Sequence, residues 1–282
     1  MSTVAIVGAG EIGGAAAHAL AASDRVRRVL LIDPAGSIAA GKALDIQQAG
    51  AITGTHVRLE GTDDLGRAIG CAAYVIADRA SGGRGEWRGD EGAAMLRTVI
   101  GSAQEAPIVL AGAQQADLLA YGVLEAGLHR RRILGSAPEA LASALAAIVA
   151  LEARCSPSEV ALTVLGSPPA AFVVPWSEAS IGGYALQQML SPPQLSRIEA
   201  RVARLWPPGA YALGAAAAGV IRAILFSSRR SCSVLASLGG EFGVRNRVGI
   251  VPAWLAPQGI AQTRTPALTP RERVQLEIAL GG

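Results

Sequence analysis

Residues 4–33 read VAIVGAGEIGGAAAHALAASDRVRRVLLID, and this stretch decides the fold. Val4–Val7 is a short uncharged apolar run, the pattern of a strand buried on both faces. It runs directly into Gly8, Gly10 and Gly13, spaced G-x-G-x-x-G. Each glycine answers a steric need. Gly8 permits a tight turn, Gly10 lets the backbone approach a pyrophosphate, and Gly13 lets the following helix pack closely on its strand. That helix, expected over about Ile12–Ala22, would aim its free N–H groups and positive dipole end at phosphates. Val29–Ile32 is a second apolar run, closed by Asp33, which lies 20 residues after Gly13. A carboxylate there can accept hydrogen bonds from both ribose hydroxyls and would repel a 2′-phosphate, which selects NAD over NADP. A lone G-x-G-x-x-G says little in a chain with 34 glycines. Strand, glycines, helix, strand and acid in that order say much more.

At 282 residues the chain can bury one large core or two ordinary ones, and 51% hydrophobic against 17% charged residues describe a well-packed soluble protein. The net charge is +3, with 13 Lys+Arg against 15 Asp+Glu in residues 1–140 and 12 against 7 in residues 141–282. The excess suits a small anionic ligand at most. Arginines spread without interleaved aromatics do not make a nucleic-acid surface. Cys71, Cys155 and Cys232 stand far apart with no C-x-x-C pair, so neither a metal site nor a disulfide framework is expected, and a reducing cytoplasm fits. No basic segment precedes the first strand, so no signal peptide is expected. Pro207, Pro208 and Gly209 break the uncharged run Leu205–Ile221, so no membrane span is expected either.

Beyond Asp33, helix formers from Ala39 to Gln48 surround Lys42, the only lysine of the chain. Thr55–Leu59 alternates like a strand, GTDD at Gly61–Asp64 reads as a turn with capping residues, and Ala72–Ile76 reads as another buried strand. Strands alternating with helices mean a parallel doubly wound sheet. The later segments ADLLAY (116–121), RRILGSA (131–137), SPSEV (156–160), VPWSEASIGG (174–183), GAYALGAA (209–216) and GEFGVRNRVGIVP (240–252) complete a nearly end-to-end series. In this order and spacing the chain resembles the lactate/malate dehydrogenase family. The resemblance implies an α/β fold, with an NAD-binding Rossmann domain over residues 1–137 followed by an α+β domain over 138–282 for substrate and oligomer contacts. It implies a homodimer or homotetramer, and a cofactor-binding set of Gly8, Gly10, Glu11, Ile12, Gly13, Asp33, Ala77 and Gln114. Gln114 stands where the family places an asparagine beside the nicotinamide. Helices are expected over Asp90–Gly101, Pro193–Leu205, Gly209–Phe226 and Thr269–Leu280, and strands over Pro107–Ala111, Ser231–Leu238 and Val248–Val251.

The resemblance also exposes a gap. The family's mobile loop, which carries substrate-clamping arginines, corresponds to ASGGRGEWRGDEG at 80–92. Arg84 and Arg88 are available there for substrate, the proline-glycine-methionine centre is absent, and a solvated glycine-rich loop with Trp87 at its tip is the competing reading. The family needs a histidine to take the hydroxyl proton, an aspartate to orient it and an arginine for the substrate carboxylate. The matching positions hold Pro168, Leu141 and Ala144. A slipped register cannot repair this, because no histidine follows His129 and no aspartate follows Asp117. Two readings stay open: a nucleotide-binding protein that has lost dehydrogenase chemistry, or an NAD-dependent oxidoreductase on a different hydroxy/oxo substrate, one lacking a carboxylate, using a base recruited from Glu139, Glu178 or Tyr211.

Overall fold

The computed structural model describes residues 2–80, 85–228 and 230–281. The N-terminal half alternates β1 (Thr3–Val7), α1 (Glu11–Ala22), β2 (Arg28–Ile32), α2 (Gly36–Thr53), β3 (Arg58–Thr62) and β4 (Ala73–Ile76). A short hairpin, β5 (Asp78–Arg79) with β6 (Gly85–Glu86), leads into α3 (Gly89–Ala103), β7 (Ile108–Leu110), α4 (Ala116–Leu124), β8 (Ile133–Gly135) and α5 (Ala137–Ala153). The six strands β3-β2-β1-β4-β7-β8 pair in parallel in that order, the doubly wound arrangement in which the chain reverses direction across the sheet beside β1.

Alternation within each strand sorts its side chains between two helical layers. Val4, Ile6, Val29 and Leu31 join one buried cluster with residues of α1 and α8, whereas Ala5, Val7, Leu30 and Ile32 join the opposite cluster with residues of α3, α4 and α5. This two-sided burial is why these strands read as continuous apolar runs. Each fully buried leucine or isoleucine contributes about 1.5–3 kcal/mol relative to exposure.

The second half extends the same sheet with antiparallel strands. Small strands β9 (Val160–Ala161), β12 (Ser180–Ile181) and β13 (Tyr184–Ala185) form a separate three-stranded sheet. β10 (Leu165–Ser167), β11 (Ala171–Val173), β14 (Cys232–Gly239), β15 (Arg245–Ala256) and β16 (Gly259–Thr263) join the large one, with β14 seated on β8 at Leu235 opposite Gly135. α6 (Leu186–Met189), α7 (Pro192–Val202), α8 (Ala210–Leu225) and α9 (Pro270–Ala279) complete the chain. α8 crosses back onto α1, where a Cβ on Gly214 would lie 2.6 Å from the amide nitrogen of Ala16. Only glycine permits that approach of the two helices. Among the described residues no single helix is long and apolar enough to cross a membrane.

Three expectations need correction. The third strand is Arg58–Thr62 rather than Thr55–Leu59, because α2 continues to Thr53 and ends on Gly54 in the left-handed region before the chain can turn. Gly61 and Thr62, expected in a turn, therefore lie in the strand, opposite Leu31 and Ile32. RRILGSA supplies the sixth parallel strand, Ile133–Gly135, which had not been singled out as one.

Candidate dinucleotide site

The glycine loop leaves β1 and opens α1 as the sequence demands. Gly8 sits at φ +108°, and a Cβ on Gly13 would lie 2.9 Å from the carbonyl carbon of Gly8. Side chains are excluded at both positions. The loop carbonyls of Ala9 and Gly10 each accept a hydrogen bond from the Lys42 ammonium at 2.7 Å, so the lone lysine holds the loop in place.

Three of the N–H groups expected to receive phosphate, those of Gly10, Glu11 and Gly13, already have a partner. Glu11 and Gly13 donate to the two carboxylate oxygens of Asp78 at 2.8 and 2.9 Å, and the Gly10 N–H donates to the Asp78 backbone carbonyl at 2.9 Å. Asp78 is 8% exposed. The close approach that Gly10 permits is real, but the group that approaches is this carboxylate: a Cβ on Gly10 would lie 2.6 Å from its Oδ1. Ala77, just before it, is buried and donates its N–H to the Val7 carbonyl, which registers β4 against β1 and delivers Asp78 to the helix N-terminus. Ile12 is buried, whereas the Glu11 side chain is exposed.

Asp33 is also committed. Its Oδ2 accepts from the amides of Ala9 and Ala80 at 2.8 and 3.0 Å, and its Oδ1 from that of Ala35 at 2.9 Å. At 1% exposure it braces three backbone segments. A carboxylate closing β2 satisfies buried backbone amides as well as it satisfies ribose hydroxyls.

The second carboxylate of the hairpin repeats the pattern beyond β7. Glu86 accepts from the amides of Ala113 and Gln114 at 2.9 and 2.7 Å, in the turn that enters α4. The Gln114 side chain accepts from Arg88, an exposed residue, so both are joined to each other. Trp87 is not at a solvent tip: it is 6% exposed, packs in the same buried cluster as Leu96 and Leu118, and carries the Arg79 guanidinium 4.9 Å from its ring centroid. Gln115, missed from the sequence, ties this segment down by donating to the Trp87 carbonyl at 3.3 Å and accepting from the Gly112 amide at 2.8 Å. Arg84 lies outside the described residues.

Between glycine loop, hairpin and the start of α8 a cavity of about 270 Å³ remains, lined by Glu11, Asp78, Glu86 and Leu213 among others. Ligand pockets for small molecules run from about 300 to 1,000 Å³. A pyrophosphate needs the amides that Asp78 fills. The residues in this arrangement do not fit a dinucleotide. Among the described residues no cluster suits a metal ion.

No family model matches the chain. The malate dehydrogenase of Thioalkalivibrio sulfidiphilus is 30% identical to it, across 100% of this chain and 97% of the relative. The chain belongs to the lactate/malate dehydrogenase family. Malate dehydrogenase from Dehalococcoides mccartyi is 28% identical over 99% of this chain and 96% of its own length. The fold agrees: the malate dehydrogenase structure from Salinibacter ruber superposes with a TM-score of 0.87 at 23% identity, covering 99% of this chain and 94% of the other. The minor L-lactate dehydrogenase of Enterococcus mundtii gives 0.86 at 21% identity, covering 99% and 95%.

The three positions that the resemblance assigns to catalytic groups lie as follows in this dehydrogenase-family chain. Leu141 is fully buried on α5, in one apolar cluster with Val164, Trp176 and Leu145. Ala144, one turn on, is half-buried, and Pro168 is buried in the turn of the β10–β11 hairpin. Of the alternative bases, Glu139 is buried beneath Arg230, pairs with it, and accepts from the Ser233 amide at 2.9 Å. Burial pushes its carboxyl up against the opposing pull of Arg230 and the amide. Burial and the adjacent Glu139 charge likewise push the Cys232 thiol up to about 12, against Arg230. Glu139 and Glu178 line a separate cavity of about 690 Å³ that shares no residue with the one beside the glycine loop. Tyr211 is 87% exposed on the first turn of α8.

Proposed function

We propose that this chain is a lactate/malate dehydrogenase homologue without dehydrogenase turnover, a pseudoenzyme that keeps the family's fold for binding or assembly. The observation that carries the reading is Leu141, fully buried in the apolar core where the family resemblance calls for an aspartate. An imidazole at Pro168 would find no carboxylate there to hold its tautomer, and Ala144 offers a substrate carboxylate no charge. Loss of a general acid–base group alone typically costs about 10²–10⁴-fold in rate.

Two of the three candidates for a recruited base, Glu139 and Glu178, gain no support from the geometry. Glu139 and Glu178 belong to a different cavity, and the Glu139 carboxylate is held as a clasp between α5 and β14. A proton acceptor must lie within hydrogen-bond reach of the hydroxyl that loses its proton beside the nicotinamide.

The division near residues 137 and 138, a cytoplasmic location and assembly as a homodimer or homotetramer are parts of the same proposal. Light scattering at micromolar concentration checks the last. The deciding experiment is a spectrophotometric assay of NADH formation from malate or lactate and of NADH consumption with oxaloacetate or pyruvate. No rate above background is expected, and steady turnover that co-purifies with the protein overturns the reading.

A further inference from the structure

We propose that the dinucleotide groove of this protein is occupied by its own paired strands β5 and β6, with the Asp78 carboxylate standing in for a pyrophosphate and the Glu86 carboxylate sealing the far end. The inference goes beyond the loss of catalysis: a chain without a catalytic histidine could still bind NADH, and this one is built not to.

Four observations converge. The Asp78 carboxylate bridges the Glu11 and Gly13 amides at the N-terminus of α1, at 2.8 and 2.9 Å, which is the recognition geometry of a phosphate at a helix start. The Asp78 backbone carbonyl takes a further loop amide, that of Gly10, at 2.9 Å. Glu86 does the same at the entry to α4, taking the Ala113 and Gln114 amides at 2.9 and 2.7 Å, and Gly112 is spared a Cβ that would lie 2.8 Å from the Glu86 Cγ. The hairpin that carries both acids is fixed from beneath. Asp78 pairs with Glu86 across it, Trp87 is buried behind it, and the Ala80 amide is held by Asp33.

Each amide has one hydrogen, so pyrophosphate and Asp78 exclude one another. The repulsion adds to the exclusion, because a phosphate entering the loop would meet the carboxylates of Asp78 and Glu86 in a partly buried space. Displacing two charge-assisted hydrogen bonds lowers the apparent affinity for a dinucleotide by on the order of 10²–10⁴-fold. A micromolar site would thereby become one of about 0.1–10 mM.

The test is isothermal titration of the full-length protein with NADH and with ADP-ribose, alongside Asp78→Ala and Asp78→Ala/Glu86→Ala. The unmodified protein is expected to bind either ligand no tighter than about 0.1 mM, and the Asp78→Ala variant to gain at least 100-fold in affinity. Saturable binding of NADH to the unmodified protein tighter than about 0.1 mM overturns the inference, and this arm stands even if the variants do not fold. Variants that keep native circular dichroism yet bind no better than the parent overturn it too. The outcome separates from the loss of catalysis. A parent protein that binds NADH tightly but turns over neither malate nor lactate sinks the plugged groove alone, whereas an Asp78→Ala variant that binds and turns over malate supports the plug and sinks the pseudoenzyme.

Discussion

The Asp78 carboxylate lies against the bare Cα of Gly10: a Cβ built on that glycine would sit 2.6 Å from Oδ1, well inside van der Waals contact. The glycine that a bound pyrophosphate would require is here required by the protein's own side chain. Gly10→Ala should destabilise the unliganded protein by about 1–3 kcal/mol, the usual cost of forcing an extra methyl into a packed site. The same substitution in an Asp78→Gly background should cost much less, giving a coupling of about 0.5–3 kcal/mol in a double-mutant cycle measured by urea denaturation. Strict additivity would show that Gly10 is spared a side chain for another reason.

The contact between α8 and α1 provides a control on how small residues are used. A methyl on Gly214 would meet the Ala15 Cβ at 2.5 Å and the Ala16 nitrogen at 2.6 Å, so Gly214→Ala should cost about 1–3 kcal/mol. Gly219, one and a half turns further along the same helix, has only the Arg222 guanidinium near, at 4.0 Å. Gly219→Ala should instead stabilise by about 0.4–1 kcal/mol by restricting the unfolded chain. Thermal melts of the two variants moving in the same direction would contradict this account of the interface.

The parallel half of the fold was legible because strands buried on both faces leave an uninterrupted apolar signature, and Val4–Val7, Val29–Ile32 and Ala72–Ile76 all carry it. The short strands of the second half, such as Val160–Ala161 and Ser180–Ile181, were not legible, since two residues hold no periodicity. The glycine loop was read as a cradle for a pyrophosphate, and in the structure its amides hold the Asp78 carboxylate. Nothing in the residue type of Asp78 distinguishes an acid that ends a strand from one that occupies the neighbouring loop. That depends on β4 lying beside β1, with Ile76 opposite Val7, which is tertiary information. Trp87 was misplaced for a related reason. A tryptophan within a glycine-rich stretch carries no periodic pattern, although an aromatic of that size is itself a hint of anchoring.

Acid sensitivity follows from carboxylates whose pKa the fold lowers. Burial of Glu272 pushes its pKa up, but the Thr269 amide, the hydroxyls of Ser177 and Thr269 and the Ser177 amide outweigh it and hold the carboxyl below its ordinary value of 4.5. Around Glu60, burial is likewise outweighed by Arg28, Arg58 and Arg67. A lowered folded pKa means that the unfolded chain binds more protons in acid. The stabilisation is therefore complete above about 4.5 and is lost as pH falls through the folded values. Glu272→Ala, which removes the capping partner of α9, should cost about 0.5–2 kcal/mol at neutral pH and should flatten the acid limb of a stability–pH curve. An unchanged acid limb would place the proton uptake elsewhere.

Restoring the family's catalytic groups tests whether their loss has been absorbed into the core. Leu141 is fully buried, in a cluster with Val164, Trp176 and Leu145, so Leu141→Asp removes a packed side chain and puts a carboxyl in its place without a cation. Truncating a buried leucine alone costs about 2–5 kcal/mol. At about 2–4 °C per kcal/mol for a chain of this size class, the melting temperature should fall by roughly 4–20 °C. Pro168→His sits in a hairpin turn whose next residues, Pro169 and Ala170, are exposed, so the chain can give way there and the loss should be smaller. Neither variant should gain malate or lactate turnover, because the imidazole still lacks an orienting carboxylate and the helix above it still lacks an arginine. A Leu141→Asp protein that melts within about 2 °C of the parent would mean that this part of α5 still faces a hydrated pocket, and that the active site has been emptied but not filled in.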